Sequence, residues 1–314
     1  MTEVHFIVPA GIDDPARPSG GNTYDRRVRD ELRALGWTVR VHVGARAVEQ
    51  LPDGSVALLD GLIASPAPDV LVPHAERLRL LVLMHMPFAD ARERAVLQAA
   101  AAVITTSEWS RRRLGELYGV PAHVARPGVD PAELVPGSAA GQALLCVAAV
   151  TPGKGHDVLL DALAAVDELG WSCTCVGSLD RDPAFADALR RRGGRVRFVG
   201  PQVGPELDRA YAAVDLLVLA SHAETYGMVV TEALARGIPV LATDVGGVRE
   251  ALGHGGLLVA PGDPAALGAA LRSWLDDAEL RGRLRRAARE RRASLPGWPA
   301  TTSVVADVLA GAAR

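Results

Sequence analysis

The sequence contains little of what marks disulfide-rich, metal-binding or membrane-spanning proteins. Its 314 residues include three cysteines and 4% aromatic residues. Because the cysteine count is odd and each cysteine lies in an apolar run, the composition argues against a disulfide framework. Neither a histidine nor a second cysteine pair flanks Cys173 and Cys175, so we expect no metal site there. No apolar run reaches the length that crosses a bilayer.

The charge balance and the first residues narrow the class further. The formal net charge of −3 gives no reason to expect a nucleic-acid partner. Glu3 stands where a signal peptide requires basic residues, and the apolar run after it is typical of a strand. We therefore expect a cytoplasmic protein. The abundance of alanine, arginine, glycine and proline is typical of a bacterial genome rich in G and C.

Apolar runs alternate with helical periodicity along the whole chain, which predicts the α/β class with parallel sheets. A stretch rich in proline, glycine and alanine, Pro131–Gln142, is typical of a linker, and the alternation restarts after it. We therefore predict two doubly wound domains, residues 1–135 and 136–296, and a last helix within residues 297–314. The predicted strands are Val4–Val8, Thr38–Val43, Val56–Leu59, Leu80–Met84, Val103–Thr106, Val124–Ala125, Leu144–Val150, Ser172–Val176, Val196–Val199, Leu216–Ala220 and Ile238–Thr243.

The most informative segment contains two glutamates eight residues apart, Glu224 and Glu232. Glu224 follows a predicted strand, and Gly227–Arg236 is predicted to be a helix that Gly237 ends. Ligands of parallel sheets bind at the carboxyl ends of strands, and helical side chains lean toward the N-terminus, so both carboxylates can face one pocket. Carboxylates accept hydrogen bonds from hydroxyls, and a helix N-terminus attracts a diphosphate, so this pocket suits a sugar nucleotide. The alternative is a helix start with acidic residues that favour the dipole, plus one surface glutamate.

Two loops offer further ligand contacts. Gly20 and Gly21 follow the first strand, in the predicted loop Pro18–Asn22, and would let the backbone approach a phosphate or sugar. The loop is neither a dinucleotide-binding fingerprint nor a P-loop, and a simple turn is the alternative. Lys154 lies between a strand and the next helix, where a cation can reach a diphosphate. A solvated loop lysine is the alternative there.

Taken together, these motifs resemble the GT4 family of retaining glycosyltransferases, over nearly the whole chain. The resemblance implies the GT-B architecture, in which two Rossmann-like domains face each other across a cleft and the last helix crosses back. Residues 1–135 would then be the acceptor side, residues 136–296 the donor side, and residues 297–314, with Trp298, the crossover. The motifs in order are Gly20-Gly21, Pro127-Gly-Val-Asp130, Lys154-Gly155, the Glu224 and Glu232 pair, Gly237-Ile-Pro-Val240, Gly246-Gly247 with Glu250, and Pro261-Gly-Asp263.

The resemblance also implies roles for individual residues. Glu224 would contact the donor hexose and Glu232 the ribose hydroxyls. Lys154 and the Gly21 amide, with Gly20 beside it, would offset the diphosphate charge. His85 matches a histidine near the reacting sugar, and a histidine satisfied at a strand end is the alternative. The amides that hold hexose and phosphates would come from Tyr226, Gly227, Met228 and Val229.

The function implied is transfer of a hexose from a UDP- or GDP-linked sugar to an acceptor hydroxyl, with retention and without metal or other cofactor. The acceptor would be a small molecule, a saccharide or a lipid. The alternatives are a nucleotide-sugar epimerase or hydrolase of the same architecture, and a non-catalytic binding protein. Trp109 with Arg111–Arg113 indicates at most peripheral membrane contact, and a solvated helix face is the alternative there.

Two features of the sequence bear on this interpretation. The family usually carries an arginine five residues before the lysine, and this chain has Ala149 there. One lost charge-assisted contact is worth ~1.5–3 kcal/mol, which predicts a slower reaction unless another arginine reaches the site. Asp180 and Asp182 have the D-x-D spacing of a metal site, but Pro183 follows, so a helix cap is predicted instead.

Overall fold

The computed structural model describes residues 3–16, 18–192 and 194–313. The contacts divide the chain into two units, each described by itself below. Unit 1 contains the chain up to Asp14, Ser19–Gly128 and the chain from Pro296, and unit 2 contains Pro15–Pro18 and Val129–Leu295. The sequence placed the first boundary at residue 135, whereas the contacts place it at residue 128, before the linker rather than inside it.

The described residues form parallel strands connected by helices. The strands are β1 (Glu3–Val8), β2 (Thr38–Val43), β3 (Val56–Asp60), β4 (Arg79–Met84), β5 (Ala102–Thr105), β6 (His123–Val124), β7 (Ala143–Val147), β8 (Ser172–Val176), β9 (Val196–Phe198), β10 (Leu216–Leu219), β11 (Val240–Thr243) and β12 (Gly256–Val259). The helices are α1 (Gly20–Ala34), α2 (Gly61–Ala64), α3 (Pro68–Leu71), α4 (Ala91–Ala99), α5 (Glu108–Tyr118), α6 (His156–Ala164), α7 (Pro183–Arg191), α8 (Pro205–Ala212), α9 (Met228–Ala235), α10 (Val248–Leu252), α11 (Pro264–Asp276), α12 (Ala278–Arg292) and α13 (Trp298–Ala312). None of these described helices is both long and apolar enough to cross a membrane.

Unit 1 is built on a six-stranded parallel sheet with the strand order β2-β1-β3-β4-β5-β6. The central strands β3 and β4 are buried along almost their whole length, because parallel sheets of this kind are covered on both faces. One face carries a core cluster that includes Ile7, Leu59 and Val82 and packs against α3, α4 and α5.

The C-terminal helix α13 belongs to unit 1 and is held at its first turn. Trp298 is buried, and its ring meets the edge of the Tyr24 ring at 5.7 Å between centroids. The Tyr24 hydroxyl donates to the Ala125 carbonyl over 2.8 Å. The Thr301 hydroxyl donates to the Arg126 carbonyl over 2.6 Å. These bonds connect α1 and α13 to the chain that follows β6.

Unit 2 repeats the architecture with the strand order β12-β11-β10-β7-β8-β9, again all parallel. One apolar cluster surrounds Trp274 and another contains Tyr211, on strands and helices of the same sheet. The predicted α/β class with two doubly wound parallel sheets is therefore confirmed. The sequence analysis missed β12, since it begins on a glycine and its side chains are only half-buried.

Helix α1 begins earlier than predicted. The Ser19 hydroxyl accepts a hydrogen bond from the Asn22 N–H over 3.1 Å, and Gly20 and Gly21 form the first turn of the helix. The prediction of a loop over Pro18–Asn22 was therefore wrong from Gly20 onward. A serine cap can start a helix even where two glycines, which are poor helix formers, come next.

The run Arg281–Arg292 in α12 is rich in arginine, a pattern typical of a solvated helix face, but it is only partly solvated. Arg281 is 8% exposed and donates to the carbonyls of Trp274 and Leu275 over 2.8 Å each, at the end of α11. Arg292 donates to the Ala132 carbonyl over 2.6 Å. These guanidinium groups therefore satisfy carbonyls of other segments instead of forming a solvated face.

Asp215 anchors the segment between β6 and β7. Its carboxylate is buried and accepts hydrogen bonds from the Ser138 backbone N–H, from the Ser138 hydroxyl over 2.8 Å and from the Ala143 N–H over 3.0 Å. The Arg285 guanidinium on α12 lies 3.2 Å from Oδ1. A buried carboxylate with this many donors ties the linker, the sheet and α12 together.

Replacing Asp215 with alanine should therefore lower the free energy of unfolding by about 2–4 kcal/mol, because Arg285 and two N–H groups lose their acceptor. Chemical denaturation measures this change. Asp167→Ala is the control, since Asp167 is exposed and pairs with Arg195 over 3.2 Å, and it should cost under about 1 kcal/mol. Equal losses in the two variants would contradict the anchoring role.

Candidate functional site

Three loops of unit 2 meet at the carboxyl ends of its central strands. Strand β10 lies between β7 and β11 in the sheet, so the loops that follow these strands are neighbours. The loop after β7 holds Lys154, the loop after β10 holds Glu224, and the loop after β11 holds Gly246. The His222 N–H donates to the Gly153 carbonyl over 3.0 Å, which joins the first two loops directly.

Lys154 and Glu224, two of the predicted site residues, form an ion pair. Lys154 Nζ lies 2.6 Å from Glu224 Oε1. The Ser221 hydroxyl donates to the same oxygen over 2.8 Å. The two charged side chains keep 28% and 14% of their surface exposed. The structure therefore brings the predicted cation and the predicted hexose-binding carboxylate into contact and leaves both accessible to a ligand.

Two glycines allow this contact. Gly155 has a φ of +63°, and a Cβ there would lie 2.0 Å from the Ala220 carbonyl oxygen. Gly246 has a φ of +54°, and a Cβ there would lie 1.6 Å from the Glu224 carbonyl oxygen. The Gly247 N–H donates to that same carbonyl over 3.2 Å. These glycines are therefore required for the backbone packing that holds the Lys154 and Glu224 loops.

The first turn of α9 begins beside Glu224 in sequence. Gly227 is the N-cap with a φ of +89°, and no side chain caps the helix. Met228 and Val229 are the first two helical residues, so their N–H groups lack a partner within the helix. Tyr226 is 2% exposed and belongs to the apolar cluster around Tyr211. Its side chain therefore serves the core, and only its backbone can serve the predicted binding role.

Glu232 has different partners from Glu224. Its Oε2 accepts a hydrogen bond from the Tyr211 hydroxyl of α8 over 2.8 Å. Burial raises the pKa of the Glu232 carboxyl above its ordinary value, although the Tyr211 hydrogen bond and the nearby Arg236 act in the opposite direction. The sequence analysis did not single out Tyr211, since a tyrosine on an amphipathic helix carries no functional signal of its own.

In unit 1, the predicted residues Gly21 and His85 are neighbours. A Cβ on Gly21 would lie 3.4 Å from His85 Cδ2, so the first turn of α1 lies against the imidazole ring. His85 follows β4, and its Nε2 lies 2.8 Å from Asp25 Oδ1 and 3.6 Å from Asp60 Oδ2. Gly20 is the first residue of the same helix turn.

Asp25 and Asp60 are the polar residues of this cluster that the sequence analysis missed. Asp60 ends the apolar strand β3, and Asp25 lies beside Tyr24 on the inward face of α1. A signal was available in both cases. An acidic residue at a position that should be apolar is informative because buried charges need partners.

Metal-ligand atom types come together twice among the described residues. Cys146, His156 and Cys175 lie close together and fully buried, with 3.7 Å between Cys146 Sγ and His156 Nε2. The statement that no histidine accompanies the cysteines was therefore wrong, since α6 carries His156 onto the sheet. This cluster lies inside the apolar core, and the aspartate–histidine cluster has hydrogen-bond distances, so we assign a metal to neither. Asp182 caps α7 by accepting from the Phe185 N–H over 3.1 Å, as predicted.

Comparison with known proteins shows which family the second half of the chain is similar to. Residues 141–277, from β7 to α11, match the family described as glycosyl transferases group 1. Over this segment, 137 of the 314 residues, the chain is similar to that family. The GT4 resemblance is thereby confirmed.

Curated relatives of the family include two enzymes named D-inositol 3-phosphate glycosyltransferase. The one from Jonesia denitrificans is 32% identical over 249 residues, which cover 69% of this chain and 58% of the relative. The one from Kineococcus radiotolerans is 35% identical over 255 residues, covering 69% and 58%. A glycogen synthase from Mycobacterium tuberculosis is 34% identical over 203 residues, covering 62% and 46%. The chain thus spans about half to three fifths of the length of these relatives.

Two solved structures resemble the whole chain. Sucrose-phosphate synthase from Thermosynechococcus elongatus has a TM-score of 0.81 at 21% identity and covers 99% of both chains. Anabaena Alr3699/HepE in complex with UDP and glucose has a TM-score of 0.79 at 18% identity, covering 99% of this chain and 100% of that one. At these identities the likeness concerns the fold alone, and that fold is the predicted GT-B fold.

The glycine requirement at position 155 can be tested against a matched position. Gly155 and Gly119 are both left-handed helix-type residues, with φ of +63° and +67°, but nothing lies within 4 Å of a Cβ on Gly119. Gly119→Ala should cost only the left-handed strain, about 1 kcal/mol in unfolding free energy. Gly155→Ala adds a clash with the end of β10 and should cost about 2–3 kcal/mol more. Similar losses measured by chemical denaturation would refute the packing argument.

Proposed function

We propose that the chain is a retaining glycosyltransferase that moves a hexose from a nucleoside diphosphate sugar to an acceptor hydroxyl without a metal. The observation that carries the proposal is the Lys154–Glu224 ion pair, 2.6 Å between Nζ and Oε1, next to the uncapped N-terminus of α9. A cation, a carboxylate and free N–H groups together provide what a sugar diphosphate requires.

The donor contacts follow from the chemistry of each group. Lys154 and Ser221 both engage Glu224 Oε1, so Oε2 is the oxygen that can accept from a hexose hydroxyl. The Met228 and Val229 amides would hold diphosphate oxygens, with Gly227 allowing close approach. Glu232 would accept from the ribose hydroxyls while Tyr211 orients it.

Lys154 supports the proposal by its rarity. The chain has 34 basic residues, and Lys154 is its only lysine. A composition that uses arginine everywhere else indicates that a compact ammonium group is required at this position. An ammonium is a point charge with rotating donors, which suits a phosphate oxygen whose charge grows during the reaction.

The reaction requires little of the protein beyond charge. As the bond between the anomeric carbon and the diphosphate breaks, negative charge grows on the leaving oxygen, and Lys154 with the α9 N-terminus stabilises it. The acceptor attacks from the face that the diphosphate leaves, and a phosphate oxygen takes the acceptor's proton. His85, Gly20 and Gly21 keep the roles implied by the family resemblance, at the reacting sugar and the diphosphate.

The substrates are proposed from the relatives. A UDP-linked hexose is favoured as donor because a structural neighbour is a complex with UDP and glucose. A cyclitol or saccharide is favoured as acceptor because of the names of the relatives. We further propose that the protein acts in the cytoplasm.

Ala149 favours one second candidate, a protein that binds the nucleotide sugar without transferring it. The position lies in the turn after β7 and carries no cation. Nucleotide release that depends on added acceptor identifies a transferase. Release without acceptor identifies a hydrolase, and binding without any release identifies a binding protein.

Lys154→Ala should lower kcat/KM about 10²- to 10³-fold, because a charge that stabilises the leaving group is lost. Glu224→Gln should raise KM and lower kcat about 10-fold or more, because Gln donates where the hexose hydroxyl must donate. Asp161→Asn is the control, since it removes one charge of the exposed Arg192–Asp161 pair, 2.6 Å apart. If sugar transfer is unchanged in both Lys154→Ala and Glu224→Gln, the site assignment is wrong.

The single lysine permits a test that does not need the acceptor. An amine-selective acylating reagent can modify only Lys154 and the α-amino group. A saturating UDP-sugar should slow acylation of Lys154 several-fold, as measured by mass spectrometry of peptides. Acylation of the α-amino group should be unchanged and serves as the internal control. Equal rates with and without the donor would mean that it does not contact Lys154.

A further inference from the structure

Unit 1 contains a buried cluster of three titratable residues at the carboxyl edge of its sheet. Asp25 is on α1, Asp60 ends β3, and His85 follows β4. The two aspartate side chains are 0% and 1% exposed, and the histidine side chain is 13% exposed. His85 is therefore the member that can meet a ligand, and the aspartates lie behind it.

The hydrogen bonds of the two carboxyls leave one oxygen on each without a donor. Asp25 Oδ1 pairs with His85 Nε2 at 2.8 Å, and Asp60 Oδ1 accepts from the Leu62 N–H at 2.5 Å. Within the part of the chain that the structure describes, Asp25 Oδ2 and Asp60 Oδ2 are buried and have no donor. Two unsatisfied carboxylate oxygens would be costly, whereas a single proton shared between the carboxyls satisfies both.

The charge balance points the same way. If both aspartates were ionised, the cluster would have a net charge of −2 with a neutral histidine and of −1 with a charged histidine. One shared proton and a charged histidine give a net charge of zero. Among the described residues no arginine or lysine pairs with either aspartate, so no other cation offsets them. The ring of Tyr24, another titratable group, lies 5.3 Å from the His85 ring between centroids. Its hydroxyl donates a hydrogen bond to the Ala125 carbonyl, and burial raises the pKa of Tyr24, so the phenol stays neutral.

We propose that Asp25 and Asp60 share one proton and together hold His85 as an imidazolium, whose Nδ1–H is presented to a negatively charged substrate oxygen. Gly21 lies against the Cδ2 and Nε2 side of the ring, and Asp25 engages Nε2, so Nδ1 is the nitrogen left for a ligand. The ligand part of the inference rests on the proposed function. The proton-sharing pair does not, and Asp25 and Asp60 act as positioning residues.

The directions of the pKa shifts agree with this arrangement. Burial lowers the pKa of His85, but the charge and hydrogen bond of Asp25 and the charge of Asp60 outweigh it and raise the pKa above its ordinary value. Burial, with Asp25, raises the pKa of Asp60 to about 7 against the opposing effects of His85 and the Leu62 N–H. Asp60 is thus the carboxyl that keeps a proton near neutral pH.

The decisive comparison is Asp60→Asn with Asp25→Asn, read by NMR titration of the His85 ring, which a His85→Gln spectrum identifies. An amide at position 60 replaces a protonated carboxyl, since its oxygen can accept from Leu62 and its NH₂ can donate to Asp25. His85 should therefore stay charged at pH 7.5 in the wild type and in Asp60→Asn. In Asp25→Asn the counter-charge is lost, and His85 should be neutral at pH 7.5.

Two outcomes would overturn the proposal: a neutral His85 at pH 7.5 in the wild type, or equal lowering of its pKa in the two variants. The second outcome would mean that both aspartates are ionised. Because the titration needs no substrate, it stands even if no transferase activity is found. If activity is found, Asp25→Asn should lose about tenfold or more at pH 7.5 and regain part of it at pH 5.5, and a loss equal at both pH values would contradict the ligand role.

Stability against pH gives a second readout. A carboxyl whose folded pKa is raised from 3.8 to about 7 binds more protons in the folded state between these values, so stability falls as pH rises through this window. Asp60→Asn removes this component, and its unfolding free energy should fall less steeply from pH 5 to pH 7 than that of the wild type. Identical slopes would show that Asp60 carries no proton in the folded state, contrary to the proposal.

Discussion

The Lys154–Glu224 ion pair is the contact on which the candidate site of unit 2 depends. It joins the loops after β7 and β10, which the strand order makes neighbours and which the backbone hydrogen bond from the His222 N–H to the Gly153 carbonyl also connects. The pair is possible because Gly155 and Gly246 pack against backbone carbonyls that any Cβ would meet at 2.0 Å and 1.6 Å. In the proposed function, a donor diphosphate would compete with Glu224 for the ammonium group. The free site therefore keeps the charges satisfied until a ligand replaces one partner.

The same constraint governs unit 1. Asp25, Asp60 and His85 are buried together at a sheet edge, where water cannot offset an unbalanced charge. Exposure increases from the aspartates to the histidine, so the residue that a ligand can reach is supported from behind by groups that set its charge. In each unit, a charged group at the end of a strand is held by an oppositely charged partner from another element.

The arginines of α12 show that composition alone can mispredict which charged side chains are exposed to solvent. The run of arginines in α12 has the pattern of a solvated face, but Arg281 caps α11 and Arg285 pairs with buried Asp215. A guanidinium can lie along an apolar surface and still donate to carbonyls at helix ends, so its burial cannot be read from charge alone. The single lysine is informative for a related reason, because the other 33 of the 34 lysine and arginine residues are arginines.

The sequence by itself determined the parallel α/β architecture, because apolar runs of strand length must be covered on both faces, and a local signal predicted Asp182 as a helix cap. It also predicted Lys154 and Glu224 as site residues, since each follows a strand, and the family resemblance added His85. Only the tertiary structure decided which of these residues meet. The Lys154–Glu224 contact joins residues 70 positions apart and the Asp25–His85 contact residues 60 apart, and no local spacing encodes a partner that another strand brings into place. The partners of Glu232 and His85 were missed for that reason.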